Sequence, residues 1–204
     1  MKIIIIGAGV SGLATYLQLR KQLPAFSSHT VLIYESQKPQ ETSDSEPSNF
    51  SPTKSEALTD STRVVGNTIG LTSNRVRLLK YIDAGLYKSF KRRGYVSKTY
   101  KFKTARGYNL AVMSTGDRRS SEEFTISCPR YNLWQCLYEI VGGENIQCRK
   151  VVKVVLSGVK PLVGFEGGGE NDADLIIGAD GVRSVVKRAL FEEEDEGIYA
   201  LQYE

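Results

Sequence analysis

The chain has 204 residues, 41% of them hydrophobic, which suits one large globular domain, or a domain and part of another, with a buried core. Its formal charge of +4 is too weak a basic balance to imply a nucleic-acid partner. Cys128, Cys136 and Cys148 show neither CxxC spacing nor an even count, which argues against a disulfide framework or zinc site, and one histidine, His29, cannot build a His-based metal site.

In chain order, Ile3–Ile6 is a short β-branched run that predicts a strand buried on both faces. Gly7 ends it, Ser11–Gln22 predicts a helix with Leu13, Tyr16 and Leu17 inward, and Pro24 closes that helix. TVLIYE, Thr30–Glu35, predicts a second buried strand and completes a βαβ opening. The start also has the lysine and apolar stretch of a signal peptide. Gly7, Gly9 and Gly12 interrupt that stretch, however, and no clear small-residue cleavage site follows. No run reaches the roughly 18 apolar residues that span a bilayer, so no membrane partner is expected and the cytoplasm is the expected compartment.

Residues 36–62 are rich in Ser, Pro, Thr and acids and almost devoid of apolar residues. Such a segment buries too little surface to offset its ordering entropy, and a disordered insertion is expected there. The fold resumes at Val64. Apolar residues at 76, 78, 79, 82 and 86 predict a helix with Thr72 or Ser73 as its cap. Paired strands are predicted from Tyr95 to Met113. KRRGYVSKTYKFKTARGY interleaves basic and aromatic residues as a nucleic-acid surface does. The preferred reading is an antiparallel ribbon with aromatics on one face and solvated lysines on the other, because alternation alone gives this pattern, and no nucleic-acid partner is expected. PRYNLWQCLYEIV predicts a helix with Leu133, Leu137, Ile140 and Val141 on one face. KVVKVVL and PLVGFE predict a hairpin or meander with Gly167–Gly169 in a turn. ADLIIGAD then predicts a buried strand, GVRSVVKRAL a helix, and EEEDE an acidic solvated link. GIYALQYE, residues 197–204, reads as a strand barely begun.

Two stretches carry chemistry. Gly7-Ala-Gly9-Val-Ser-Gly12 is GxGxxG between a strand and a helix: the first glycine permits a tight turn, the second lets backbone approach a pyrophosphate, and the third allows close helix–strand packing. The helix N-terminus adds N–H groups and a favourable dipole for phosphates. Glu35 follows at the end of the next strand, near the spacing of about 20 residues expected of an acid that binds ribose hydroxyls. A carboxylate there repels a 2′-phosphate, which leaves FAD and NAD. The plain alternatives are a glycine turn serving only packing and an exposed strand-end acid. The second stretch, DLIIGADGVRSVVK, is a strand–turn–helix junction with one carboxylate, Asp180, placed as a helix cap.

Together IIIIGAGVSGLATYLQL, Glu35 after VLIY, GNTIGLTSNRVRLLKYIDAGL, RYNLWQCL and ADLIIGADGVRSVVK resemble the FAD-dependent aromatic-hydroxylase-like (group A) flavoprotein monooxygenases. The resemblance implies an α/β fold, a Rossmann-like FAD/NAD(P)-binding domain with a central parallel sheet and an inserted β-meander. All of residues 1–204 would form this domain, with 197–204 beginning a substrate domain that is incomplete here. It implies that Gly7, Gly9 and Gly12 hold the FAD pyrophosphate and Glu35 the adenosine ribose. Gly66 and Gly70 would bring a loop close to the flavin, and Arg130 would reach FAD. Asp180 would organise the flavin region and the approach of NAD(P)H, the transient reductant. Lys187 stands where the family's closing arginine is usual and cannot reproduce its planar bidentate contact. A later Gly-Asp flavin motif does not occur before Glu204, so the expected protein is the N-terminal part of an NAD(P)H-dependent monooxygenase acting on a small aromatic or related organic substrate. No catalytic residue is assigned. The alternative expectation is a non-catalytic FAD- or nucleotide-binding module that acts with a complementing chain.

Overall fold

A computed structural model describes residues 1–37, 68–116, 123–156 and 158–191. The insertion predicted from residue 36 and the strand expected at 197–204 lie almost wholly or wholly outside the described residues. In chain order the elements are β1 (Lys2–Ile6), α1 (Val10–Gln22), β2 (Thr30–Glu35), β3 (Thr68–Leu71), α2 (Ser73–Ile82) and α3 (Ala84–Arg93). There follow β4 (Tyr95–Ser97), β5 (Thr99–Lys103), β6 (Asn109–Ser114), β7 (Thr125–Pro129) and α4 (Arg130–Val141). The last are β8 (Ile146–Cys148), β9 (Val151–Val155), β10 (Leu162–Phe165), β11 (Glu170–Asp172), β12 (Leu175–Gly178) and α5 (Val185–Phe191). They fall into two compact units, Met1–Glu41 with Val141–Glu204, and Thr42–Ile140.

The first unit is built on a parallel sheet of order β12-β1-β2-β8. Four successive isoleucines give β1 two apolar faces, and Ile3, Ile4 and Ile5 are fully buried. Ile4 and Ile6 share a core with Tyr34 of β2, Val186 of α5, and Val151, Val154, Val163 and Phe165 of the antiparallel meander β9-β10-β11. On α1, which packs on β1 and β2, Leu13, Tyr16 and Leu17 are spaced to lie on one face and are buried together. Arg20 and Lys21 in its last turn oppose the helix dipole favourably, and Pro24 follows its end. The fold is therefore the expected α/β class with a parallel sheet, and the meander is inserted ahead of β12.

Three details depart from the sequence reading. β8, three residues with one large apolar side chain, is a strand that periodicity does not reveal. β12, expected to be buried, lies at the edge of the described sheet, with Leu175 42% exposed. The last helix starts at Val185 rather than just after Gly181, because Gly181 (φ +78°) and the following turn intervene.

The second unit contains a sheet of order β3-β7-β4, antiparallel throughout, with β7 central. The single helix expected through residue 86 is two helices. Asp83 breaks it in an extended conformation (φ −155°, ψ 130°), and its carboxylate accepts a 2.7 Å bond from the Leu86 amide to cap α3. Leu86 and Phe90 of α3 are fully buried. The β5–β6 pair is the predicted antiparallel ribbon. Its register sets Tyr100 opposite Met113 and Phe102 opposite Ala111 on one face, with Lys101 opposite Val112 on the other. Both strands are exposed throughout. Burial pushes the Cys128 thiol up to about 11, so it stays protonated at neutral pH. Among the described residues no helix is long and apolar enough to cross a membrane, and no group of three or more His, Cys, Asp or Glu is arranged to hold a metal ion.

Glu123, 5% exposed, accepts from Arg77 Nε at 2.9 Å and Lys80 Nζ at 3.5 Å. The Arg77 hydrogen bond, opposed by burial, holds its carboxyl below the ordinary range. A carboxyl depressed in the folded state stabilises fully above its unfolded value and loses that contribution as pH falls through the folded one. The melting temperature should therefore drop as pH falls below about 4.5, and Glu123→Gln should flatten that part of the profile while lowering stability at pH 7. Thermal denaturation between pH 3 and 7 checks both.

Candidate functional site

In chain order β1, β2, β8 and β12 are the first, second, third and fourth parallel strands, and they lie side by side as third-second-first-fourth. The order reverses between β1 and β12. In open parallel sheets the carboxyl ends of the strands at such a reversal form the crevice where ligands bind. Gly7 leaves β1 at that point, and Ala179-Asp180 leaves β12 beside it.

Gly7 has φ +100°, a conformation that L side chains avoid, and a Cβ there would lie 2.5 Å from the Ala179 carbonyl oxygen. Its amide donates to Tyr34 O at 2.8 Å, while the Ala179 amide donates to Ile6 O at 2.8 Å. The loop thus joins both neighbouring strands through backbone. Gly12, in the first turn of α1, meets the same loop: a Cβ on it would stand 1.9 Å from Gly7 O and 3.4 Å from the Ala179 methyl. Gly9 is different. It is the N-cap of α1 with ordinary extended dihedrals, and open space surrounds the position of its missing Cβ. No side chain caps α1, and no acid occupies its first turn, so the first-turn amides, lacking intrahelical partners, suit an anion.

Glu35 ends β2 against this loop. Its Oε2 accepts from the Ala8 amide at 2.7 Å, and its Oε1 accepts from Ser36 Oγ at 3.0 Å and the Gln37 amide at 3.1 Å. Asp180 is engaged as a cap: Oδ1 accepts from Ser184 Oγ at 2.6 Å and Oδ2 from the Val185 amide at 2.6 Å. These bonds fold Gly181–Ser184 into the turn that delays α5.

Five predicted site residues, Gly7, Gly9, Gly12, Glu35 and Asp180, thus lie in the first unit, on the loop or at the ends of the strands flanking it. Gly70 and Arg130 belong to the second unit. Gly70 is on β3 opposite Ser127, and Arg130 is the exposed first residue of α4. Gly66 lies outside the described residues. Sequence reasoning missed the Ala8 amide as a partner of Glu35, and Ala179 as the residue touching the loop. The signal for Ala179 was its small size between a strand-ending glycine and the capping aspartate.

No family profile matches the chain. Over 149 residues it is 27% identical to the FAD-dependent monooxygenase pigN of Monascus ruber, covering 67% of this chain and 33% of that protein. It is 39% identical over 69 residues to the FAD-dependent monooxygenase idtM of Claviceps paspali, covering 33% of this chain and 14% of that protein. The crystal structure of a point variant of Klebsiella pneumoniae HpxO complexed with FAD aligns with TM-score 0.65 at 21% identity, over 92% of this chain and 42% of that one. The chain resembles FAD-dependent monooxygenases and shares their fold. It spans about a third of the length of the first of these relatives.

Removing the Asp180 carboxylate should disrupt the turn that leads into α5. Asp180→Ala should lower stability by about 1–2 kcal/mol, the usual effect of losing a cap, and Asp180→Asn, which keeps an acceptor oxygen, by clearly less. Chemical denaturation of the three proteins measures the difference.

Proposed function

We propose that the chain binds FAD and forms the FAD-binding part of an NAD(P)H-dependent flavin monooxygenase that hydroxylates a small aromatic or related organic molecule. The observation that carries this reading is the placement of an uncapped helix N-terminus, a glycine-rich loop and a strand-end carboxylate beside one sheet reversal. The donor set fits an adenine dinucleotide. First-turn amides of α1 beyond Gly9 would receive the pyrophosphate, and Glu35 would accept from the adenosine ribose while retaining the Ala8 amide. Gly70, Gly66 and Arg130 are proposed to serve the flavin end, and Asp180 to hold the turn beside the loop. The names of the relatives, and FAD in the aligned HpxO crystal, favour FAD over NAD. Bound and reduced, FAD would supply the reaction with dioxygen. The residues named here bind and orient it. A cytoplasmic location belongs to the same proposal.

Titration of the purified chain should show FAD binding in preference to NAD, followed by flavin fluorescence and calorimetry. Binding of NAD without FAD would overturn the assignment. Glu35→Gln should weaken FAD by about 1–3 kcal/mol, the value of a hydrogen bond to a charged acceptor.

A second reading, an FAD- or nucleotide-binding module that works with a complementing chain, is favoured by the β5–β6 ribbon, where Tyr100, Phe102 and Met113 leave an apolar face about half exposed. Both readings give the same expectation for the 204-residue chain alone. Oxygen transfer needs water excluded around the reacting ring, and this chain spans only a third of a whole relative. NAD(P)H oxidation should be slow and yield hydrogen peroxide rather than hydroxylated product. Parallel quantification of NAD(P)H, oxygen, peroxide and product across phenols and benzoates tests it. Coupled hydroxylation by this chain alone would refute the expectation.

A further inference from the structure

Ala179 bears no charge and has no reactive group, yet it touches both ends of the glycine-rich loop. Its carbonyl oxygen closes the space beside Gly7, 2.5 Å from where a Cβ would be, and its methyl stands 3.4 Å from the corresponding point on Gly12. Its amide is tied to Ile6 O at 2.8 Å, which joins it to the end of β1, the residue just before the loop. From the other side β2 holds the same loop through Tyr34 O to the Gly7 amide and Glu35 Oε2 to the Ala8 amide. Behind Ala179 the backbone is equally confined: a Cβ on Gly178 would meet Val186 Cβ at 2.7 Å, and Asp180 is held in its capping bonds. The loop is therefore held between two strand ends, and the β12 side meets both its entry and its exit.

We propose that Ala179 is a positioning residue for dinucleotide binding: it sets the spacing of Gly7 and Gly12, and hence the aim of the first-turn amides of α1 at a diphosphate. This rests on the nucleotide-binding reading above. The residue acts through the loop and touches no ligand. A larger side chain at 179 would press on α1 at Gly12 and tilt those amides. It would leave the contact of Glu35 with a ribose, on the β2 side, in place. Ala179 is half-buried, and its methyl faces the place where Gly12 has no side chain, so methyl groups added on that side meet α1.

The test uses the 204-residue chain with FAD, ADP and adenosine as probes, and the variants Ala179→Ser, Ala179→Gly and Ala179→Val. Ala179→Val should weaken FAD and ADP at least tenfold while changing adenosine less than twofold, and Ala179→Ser should restore both to within about threefold of wild type. In the ligand-free protein, hydrogen exchange at the Ala8 amide should speed up in Ala179→Val and in Ala179→Gly, without change at the Ile4 and Ile5 amides of β1. A purely structural role would instead lower the melting temperature and weaken adenosine and ADP alike, which overturns the proposal. Unchanged ADP affinity together with unchanged Ala8 exchange also overturns it. Should Ala179→Val not fold, the Ala8 exchange rate in Ala179→Gly decides alone. Failure of the wild-type chain to bind FAD, with ADP bound and the variant pattern intact, would refute the flavin reading and leave the role of Ala179 standing.

Discussion

The backbone-to-backbone meeting of β1 and β12 at Gly7 and Ala179 is the constraint on which the site depends. Parallel pairing of Ile3–Ile6 with Leu175–Gly178 brings the two strand ends level. With Ala179 O beside where a Gly7 side chain would be, and Gly7 O where a Gly12 side chain would be, three chain segments pack with nothing larger than the Ala179 methyl between them. The Gly7 and Ala8 amides are used up on Tyr34 O and Glu35 Oε2, which leaves the uncapped first turn of α1 beyond Gly9 as the part of the loop open to an anion. An anion-binding surface made this way needs no positive side chain, and among residues 7–12 there is none.

The second unit follows a different logic, in which side chains rather than backbone decide the turns. Asp83 ends one helix and starts another with a single carboxylate, and Glu123 gathers Arg77 and Lys80 of α2. The β5–β6 ribbon is held at its base, where the Thr115 amide donates to Lys98 O at 3.1 Å and the Thr115 hydroxyl bonds to Ser97 O. Away from that base a two-stranded ribbon has little of its own to stabilise it, since pairs of strands in water are marginal without a third strand or a packed face.

Elements whose side-chain period was undisturbed were legible in the sequence. Ile3–Ile6, the Leu13-Tyr16-Leu17 face and Thr30–Glu35 each match the structure, and so does the glycine spacing whose first and third members meet backbone. β8 was not legible, because Ile-Gln-Cys carries too short a pattern; its pairing with β2 is a tertiary fact. The exposure of Leu175 was hidden for a related reason, as an apolar run does not say whether its strand is central or at an edge. The break at Asp83 was legible in principle from the cap three residues before Leu86, but apolar residues at 82 and 86 continue the helical spacing across it and hide it. Glu35 was singled out as a candidate by its spacing. Its bond to Ala8 was not, because that needs the loop to fold back over β2.

The β1–β12 register also bears on the order in which the protein is made. Ile3 pairs with Leu175, so β1 is synthesised about 170 residues before its second neighbour exists. At about 5–20 residues per second, that wait is roughly ten seconds or longer. In the meantime β1 has its local partner β2 and helix α1 but no β12, and one edge of four consecutive isoleucines stays unpaired. Nascent chains of this protein therefore carry a long-lived, strongly apolar strand edge of the kind that chaperones shield and that pairs with other chains when left bare.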